Sequence, residues 1–106
     1  DGFVRPTDPS FYYGFSAKRN PRTFAGVDAS GRTILATADG RSTSSLGLTI
    51  VETGAVARSL GMRDALNLDG GGSTTMVIGG QVTNQPSDAT GERPVGDSLL
   101  VLPRTR

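Results

Sequence analysis

The stretch Asn-Leu-Asp-Gly-Gly-Gly-Ser-Thr-Thr-Met, from Asn67 to Met76, constrains this chain more than any other, because a strand pattern runs straight into a carboxylate and three glycines. Leu66 and Leu68 alternate with Asn67 and Asp69, the period of two that places the leucines on one face of a strand and the polar side chains on the other. Asp69 then stands at the strand's end. Gly70, Gly71 and Gly72 can adopt positive φ and leave their N–H groups bare, so that an anionic ligand oxygen can approach the main chain closely. Ser73, Thr74 and Thr75 add hydroxyls. The same residues would also serve a plain glycine-rich turn between two strands.

Composition narrows the chemistry. The chain has 106 residues and a formal net charge of +1, which supplies no electrostatic drive toward nucleic acid or an anionic membrane. It contains no Cys and no His, removing thiol nucleophiles, disulfides, Ser-His-Asp triads and the usual zinc ligands together. Carboxylates, arginines, hydroxyls and backbone groups are what remain. No apolar run approaches the ~18 residues that a bilayer-spanning helix needs. Phe3, Phe11, Tyr12, Tyr13 and Phe15 crowd the start and only Phe24 follows, so a core built from residues 25–106 would rest on aliphatic side chains. That distribution, together with an opening Asp1 in place of Met, leads us to expect a processed or truncated piece of a larger fold.

The pattern along the chain is α+β, with a mainly antiparallel sheet and one principal helix packed on its face. Residues 1–19, broken by Pro6, Pro9 and Gly14, read as a docking arm or loop. Thr23 to Asp28 and Thr33 to Asp39 read as a hairpin joined through Ala29, Ser30 and Gly31. A Ser/Thr-rich loop from Ser42 to Gly47 leads to the helix. Thr49-Ile50-Val51-Glu52 matches a capping box, and Gly61 is placed to close the helix after Leu60. Val51, Ala55, Val56 and Leu60 form the expected apolar stripe. Strands are expected from Asp64 to Asp69, Thr74 to Ile78, Gln81 to Thr83 and Ser98 to Leu102, with Gly79-Gly80 as a hairpin turn and a polar loop from Asn84 to Asp97.

Six motifs then stand in a recognisable order: NPRT from Asn20, DGR from Asp39, SLGLTIVE from Ser45, ALNLDGGGSTTM from Ala65, NQPSD from Asn84 and GERPV from Gly91. Together they closely resemble the phosphodiester glycosidase family. The resemblance runs from about Asn20 to Pro103 and corresponds to the C-terminal portion of the family's domain. It implies an enzyme that breaks the bond between a sugar's anomeric carbon and a phosphate oxygen, acting outside the cytoplasm on envelope or secretory-pathway glycans.

That chemistry sorts the candidate residues. A phosphodiester carries one negative charge and its leaving group carries more, so guanidinium forks suit it, and Arg22 and Arg93, each beside a proline, are the expected phosphate ligands. Either could equally be a solvated loop arginine. Glycoside cleavage needs a carboxylate as nucleophile, water activator or oxocarbenium partner, and Asp69 is placed for that or for capping the glycine N–H groups. Glu52 belongs to a family motif and is also fully accounted for by its cap. Asn67 is placed to orient Asp69. Gly70, Gly71, Gly72, Ser73 and Thr74 are expected to meet phosphate or sugar oxygens. Asn84, Ser87 and Asp88 read as sugar-hydroxyl ligands or as a turn around Pro86, and Asp39 as a site-lining residue or a brace for Arg41. Asp39, Asp69 and Asp88 match no metal-ligand spacing, and the glycines fit neither nucleotide-loop pattern, so no cofactor is assigned. A sugar-phosphate or glycan substrate is the expected small partner. The expected protein partner is an N-terminal fragment of the same precursor, or a second copy. A non-catalytic glycan- or protein-binding module on the same scaffold is the alternative.

Overall fold

In a computed structural model of the chain, which describes residues 18–104, β1 (Arg22–Asp28) and β2 (Thr33–Ala38) form the expected hairpin, paired antiparallel from Arg22↔Ala38 to Val27↔Thr33. Asp28 builds its turn. The carboxylate accepts the N–H groups of Ser30 and Arg32, each at 2.9 Å, and the Arg32 Nε at 2.8 Å, while Gly31 takes φ +80°. The Arg32 N–H first, then its side chain and the Ser30 N–H, hold the Asp28 carboxyl below its ordinary pKa.

Helix α1 (Ile50–Ser59) begins where the capping box placed it. The Glu52 N–H donates to the Thr49 hydroxyl (3.1 Å) and the Thr49 N–H to Glu52 Oε1 (3.0 Å). Gly61, at φ +88°, follows the C-cap Leu60. The buried side is not the expected stripe. Thr53, Gly54 and Ala57 are buried, whereas Val51, Ala55 and Leu60 are exposed and Val56 is half-buried. Small side chains allow the helix to lie close to its neighbours, and the Thr53 hydroxyl is satisfied by donating to the Thr49 carbonyl at 2.7 Å.

β3 (Met62–Asn67) runs antiparallel to β1, completing a three-stranded sheet in the order β2-β1-β3. It starts at Met62 rather than Asp64 and stops at Asn67, two residues before Asp69. Leu66 is 67% exposed. Met62 instead is the buried apolar residue of this strand, packed with Phe24 and Ala57, with Ile34, Ala36 and Val56 around them. Gly26 makes this pairing possible, because a Cβ there would run into the Asp64 carbonyl and the Met62 side chain.

β4 (Val77–Ile78) and β5 (Gln81–Val82) are a minimal hairpin, shorter than the sequence pattern suggests. Gly79 and Gly80 supply the two positive φ values, +60° and +80°, of its turn. Residues 98–102 form no strand. Leu99 to Leu102 are exposed, and no described strand pairs with them. Five strands and one α-helix among the described residues keep the α+β class. Most of the N-terminal arm, with its aromatics, lies outside the described residues.

Candidate active site

The glycine segment is seated on the start of β1. Leu68 donates its N–H to the Thr23 carbonyl (2.8 Å) and Gly71 to the Pro21 carbonyl (2.9 Å), so the chain leaving β3 is stitched back across residues 21–23. Gly71–Ser73 then make one 3-10 turn, closed by Ser73 N–H to Gly70 carbonyl and Thr74 N–H to Gly71 carbonyl, both 3.1 Å. Thr74 is buried with 1% exposure, its hydroxyl 3.4 Å from that of Thr23.

Each glycine is required for a different reason. At Gly70 a Cβ would stand 2.7 Å from the Pro21 carbonyl oxygen. Gly71 has φ +60°, and the space beside it is filled by the Arg41 guanidinium. At Gly72 a side chain would collide with the Arg93 guanidinium and the Asp88 carboxylate. The run therefore lets two guanidiniums lie against neighbouring residues of one turn, a closeness that any side chain would prevent.

Arg93 is a fork anchored by Asp88. Its Nε and Nη2 donate to the two carboxylate oxygens at 2.7 and 3.0 Å, a bidentate pairing that fixes the guanidinium plane. The arginine holds the Asp88 carboxyl below its ordinary pKa, and Asp88 raises that of Arg93, with a smaller contribution from the charge of Asp69. Asp69 is exposed, and among the described residues its carboxylate makes no hydrogen bond or ion pair.

Arg22 is buried, with 2% exposure, behind this surface. Its Nε donates to the Leu48 carbonyl at 2.8 Å and its Nη2 to that of Lys18 at 3.2 Å, tying β1 to the segments on either side. Burial, then the charge of Arg41, lowers its pKa from the ordinary arginine value.

Asp39 and Asn84 brace one another. Asn84 Nδ2 donates to Asp39 Oδ1 (3.0 Å) and to the Thr74 carbonyl (2.8 Å), while its Oδ1 accepts the Met76 N–H at 2.7 Å. The Gln85 N–H reaches both Asp39 oxygens at 3.0 Å. The long loop carrying Ser87, Asp88 and Arg93 is thus fastened to the glycine segment. Glu52 is held at the helix start by the Thr49 N–H and by Arg19, at 2.5 Å, and the Thr49 contact is the larger cause of its lowered pKa. No described hydrogen bond joins Glu52 to the glycine turn. Asn67 Oδ1 and Ser87 Oγ are buried without a hydrogen-bond partner. Among the described residues no group of three or more carboxylates is arranged to hold a metal ion.

Arg41 is the neighbour that sequence reasoning passed over. It is exposed, it adopts φ +56°, and its Nη2 donates to Asn20 Oδ1 at 3.0 Å. A left-handed conformation costs an ordinary residue roughly 1–2 kcal/mol. The DGR motif was its signal, yet nothing local announces that its side chain reaches Gly71.

A family model described as phosphodiester glycosidase matches residues 4–102. An N-acetylglucosamine-1-phosphodiester alpha-N-acetylglucosaminidase of Mus musculus is 43% identical over 67 residues, covering 63% of this chain and 13% of its own length. An uncharacterised SPbeta prophage-derived protein of Bacillus subtilis is 36% identical over 83 residues, 78% of this chain and 13% of that protein. A Burkholderia pseudomallei crystal structure, of a candidate exported protein, superposes with a TM-score of 0.85 at 49% identity, covering 92% of this chain and 19% of the other. The chain thus spans less than a fifth of each of these relatives.

Proposed function

The chain belongs to the phosphodiester glycosidase family, and from that premise we propose that its glycine turn and flanking charges form part of a site hydrolysing the bond between a sugar's anomeric carbon and phosphate. The observation that carries this reading is the seating of the Arg41 and Arg93 guanidiniums against Gly71 and Gly72, with the exposed Asp69 carboxylate just before them. A phosphodiester is an anion whose leaving group gains charge as the glycosidic bond breaks, so cations fixed beforehand favour the transition state over the ground state. Arg93, its plane set by Asp88, is the clamp. Arg22 contributes from behind, holding the start of β1 under the turn and adding to the positive field.

Asp69 supplies the carboxylate that the anomeric carbon requires as positive charge develops there. Asn67, Ser73 and Ser87 are the polar groups assigned in this reading to sugar or phosphate oxygens. Thr74, Asp39 and Asn84 keep the two loops in register, and Glu52 fixes the helix start. The similarity to a Burkholderia protein described as a candidate exported one supports action outside the cytoplasm, and no described helix is long and apolar enough to cross a membrane.

The test is hydrolysis of a sugar-1-phosphate diester by the complete protein beside its Asp69→Asn variant. Release of sugar by the parent and its collapse in the variant is the expected result. Saturable sugar-phosphate binding without turnover would favour the alternative, a glycan-binding module.

A further inference from the structure

We propose that Arg41 is a specificity-determining residue of this site, its guanidinium forming with that of Arg93 a two-armed clamp across Gly71 and Gly72 for the nonbridging oxygens of a phosphodiester. The assignment deepens the phosphodiester reading and rests on it. It starts from the backbone. Arg41 holds φ +56°, a left-handed conformation in which glycine or asparagine would be less costly, directly after the buried Gly40. Such outliers persist where the surroundings enforce them, and they concentrate at ligand clamps.

What that backbone achieves is placement. The Arg41 Nη2 and Nη1 lie 3.2 and 3.5 Å from where a Cβ on Gly71 would stand, and Asn20 Oδ1 fixes Nη2 from the other side. Arg93 occupies the equivalent place at Gly72, with Asp88 as its anchor. Adjacent Cα atoms are about 3.8 Å apart. Two cations are therefore collected over one turn, and their neutralisation is unequal. Arg93 gives its Nε and Nη2 to the Asp88 carboxylate, whereas Arg41 donates to a neutral amide, and among the described residues no carboxylate comes within ion-pair distance of it, although Asp88 feels its charge. The buried Arg22 feels its charge as well, which lowers the Arg22 pKa after burial has done so. An exposed guanidinium, fixed in direction by an amide and gathered with two like charges, is complementary to an anion with paired oxygens.

A merely structural Arg41 makes the opposite forecast from a clamp. If the residue only completes a turn, Arg41→Gly should preserve everything, since glycine adopts this φ freely. The experiment measures inorganic phosphate affinity by calorimetry in the complete protein, its Arg41→Gly variant and its Arg41→Lys variant, beside KM and kcat on a sugar-1-phosphate diester. Arg41→Gly is expected to weaken phosphate binding by about tenfold or more and to raise KM, with thermal stability kept or increased. Arg41→Lys should fall between, because it retains the charge and loses the fork. Phosphate affinity and KM unchanged in Arg41→Gly, or no phosphate binding by the parent protein, overturns the proposal. A parent protein that hydrolyses no diester, yet loses phosphate affinity on Arg41→Gly, sinks the glycosidase reading and keeps the clamp.

Discussion

Gly70 and Gly72 both exclude a side chain, but against opponents of different stiffness. Beyond Gly70 stands the Pro21 carbonyl, part of a backbone fastened by β1, whereas beyond Gly72 stand the far ends of Arg93 and Asp88. Gly70→Ala should therefore cost about 1–3 kcal/mol in denaturant unfolding of the complete protein, the usual penalty for overpacking a rigid site. Gly72→Ala should cost less, because the ion pair can swing aside, while kcat/KM falls more than tenfold as the Arg93 fork is displaced. Equal stability losses in the two variants would contradict this placement of strain. Protonation provides a second test at the same scale. Arg93 lowers the Asp88 pKa in the folded state, so the pair's stabilisation is fully present above the ordinary carboxylate range, about pH 4, and is lost as pH falls through the lowered value. An NMR titration of the Asp88 carboxyl should give a midpoint below the ordinary aspartate value, moving back toward it in Arg93→Ala.

Helix α1 is defined by its cap more than by its apolar stripe. Thr49→Ala removes the acceptor of the Glu52 N–H and should destabilise the protein by about 1 kcal/mol. Glu52→Gln keeps an oxygen for the Thr49 N–H and loses the ion pair with Arg19, which is exposed and worth little. Its melting temperature should fall less than that of Thr49→Ala, with activity retained. Activity lost at an unchanged melting temperature would show that the Glu52 carboxylate takes part in the chemistry. The capping box was legible because its partners lie three residues apart. The buried face was not, since Thr53, Gly54 and Ala57 are buried by what packs against the helix and not by their own hydropathy.

At the scale of the whole molecule, a small core among the described residues supports a sheet whose two outer strands have no described neighbour. Phe24, Ala57 and Met62 are the buried hydrophobic residues among those described, while Leu66 and Leu99 to Leu102 are exposed. β2 and β3 are the outer strands of the three-stranded order, and among the described residues no further strand pairs with either of them. Residues 1–106 expressed alone at micromolar concentration should therefore self-associate or fold poorly, as sedimentation velocity and denaturant unfolding would reveal. A strand from elsewhere in the complete protein, or a second copy of this chain, is the expected cover. A monodisperse monomer that unfolds cooperatively would refute that view of the edges.

Short-range chemistry was readable from the residues themselves. The turn of the β1–β2 hairpin, the Thr49–Glu52 cap and the Gly79-Gly80 turn all depend on partners within a few positions, where pattern and bond geometry suffice. Motif order pointed to the family by the same means. Long-range partnership was settled only in three dimensions. Arg22 lies buried against the Leu48 and Lys18 carbonyls, Asn84 bridges Asp39 to the Thr74–Met76 segment, and Arg41 reaches Gly71 thirty positions away. None of these contacts has a local period or spacing to betray it, because each arises where β1 brings distant loops side by side.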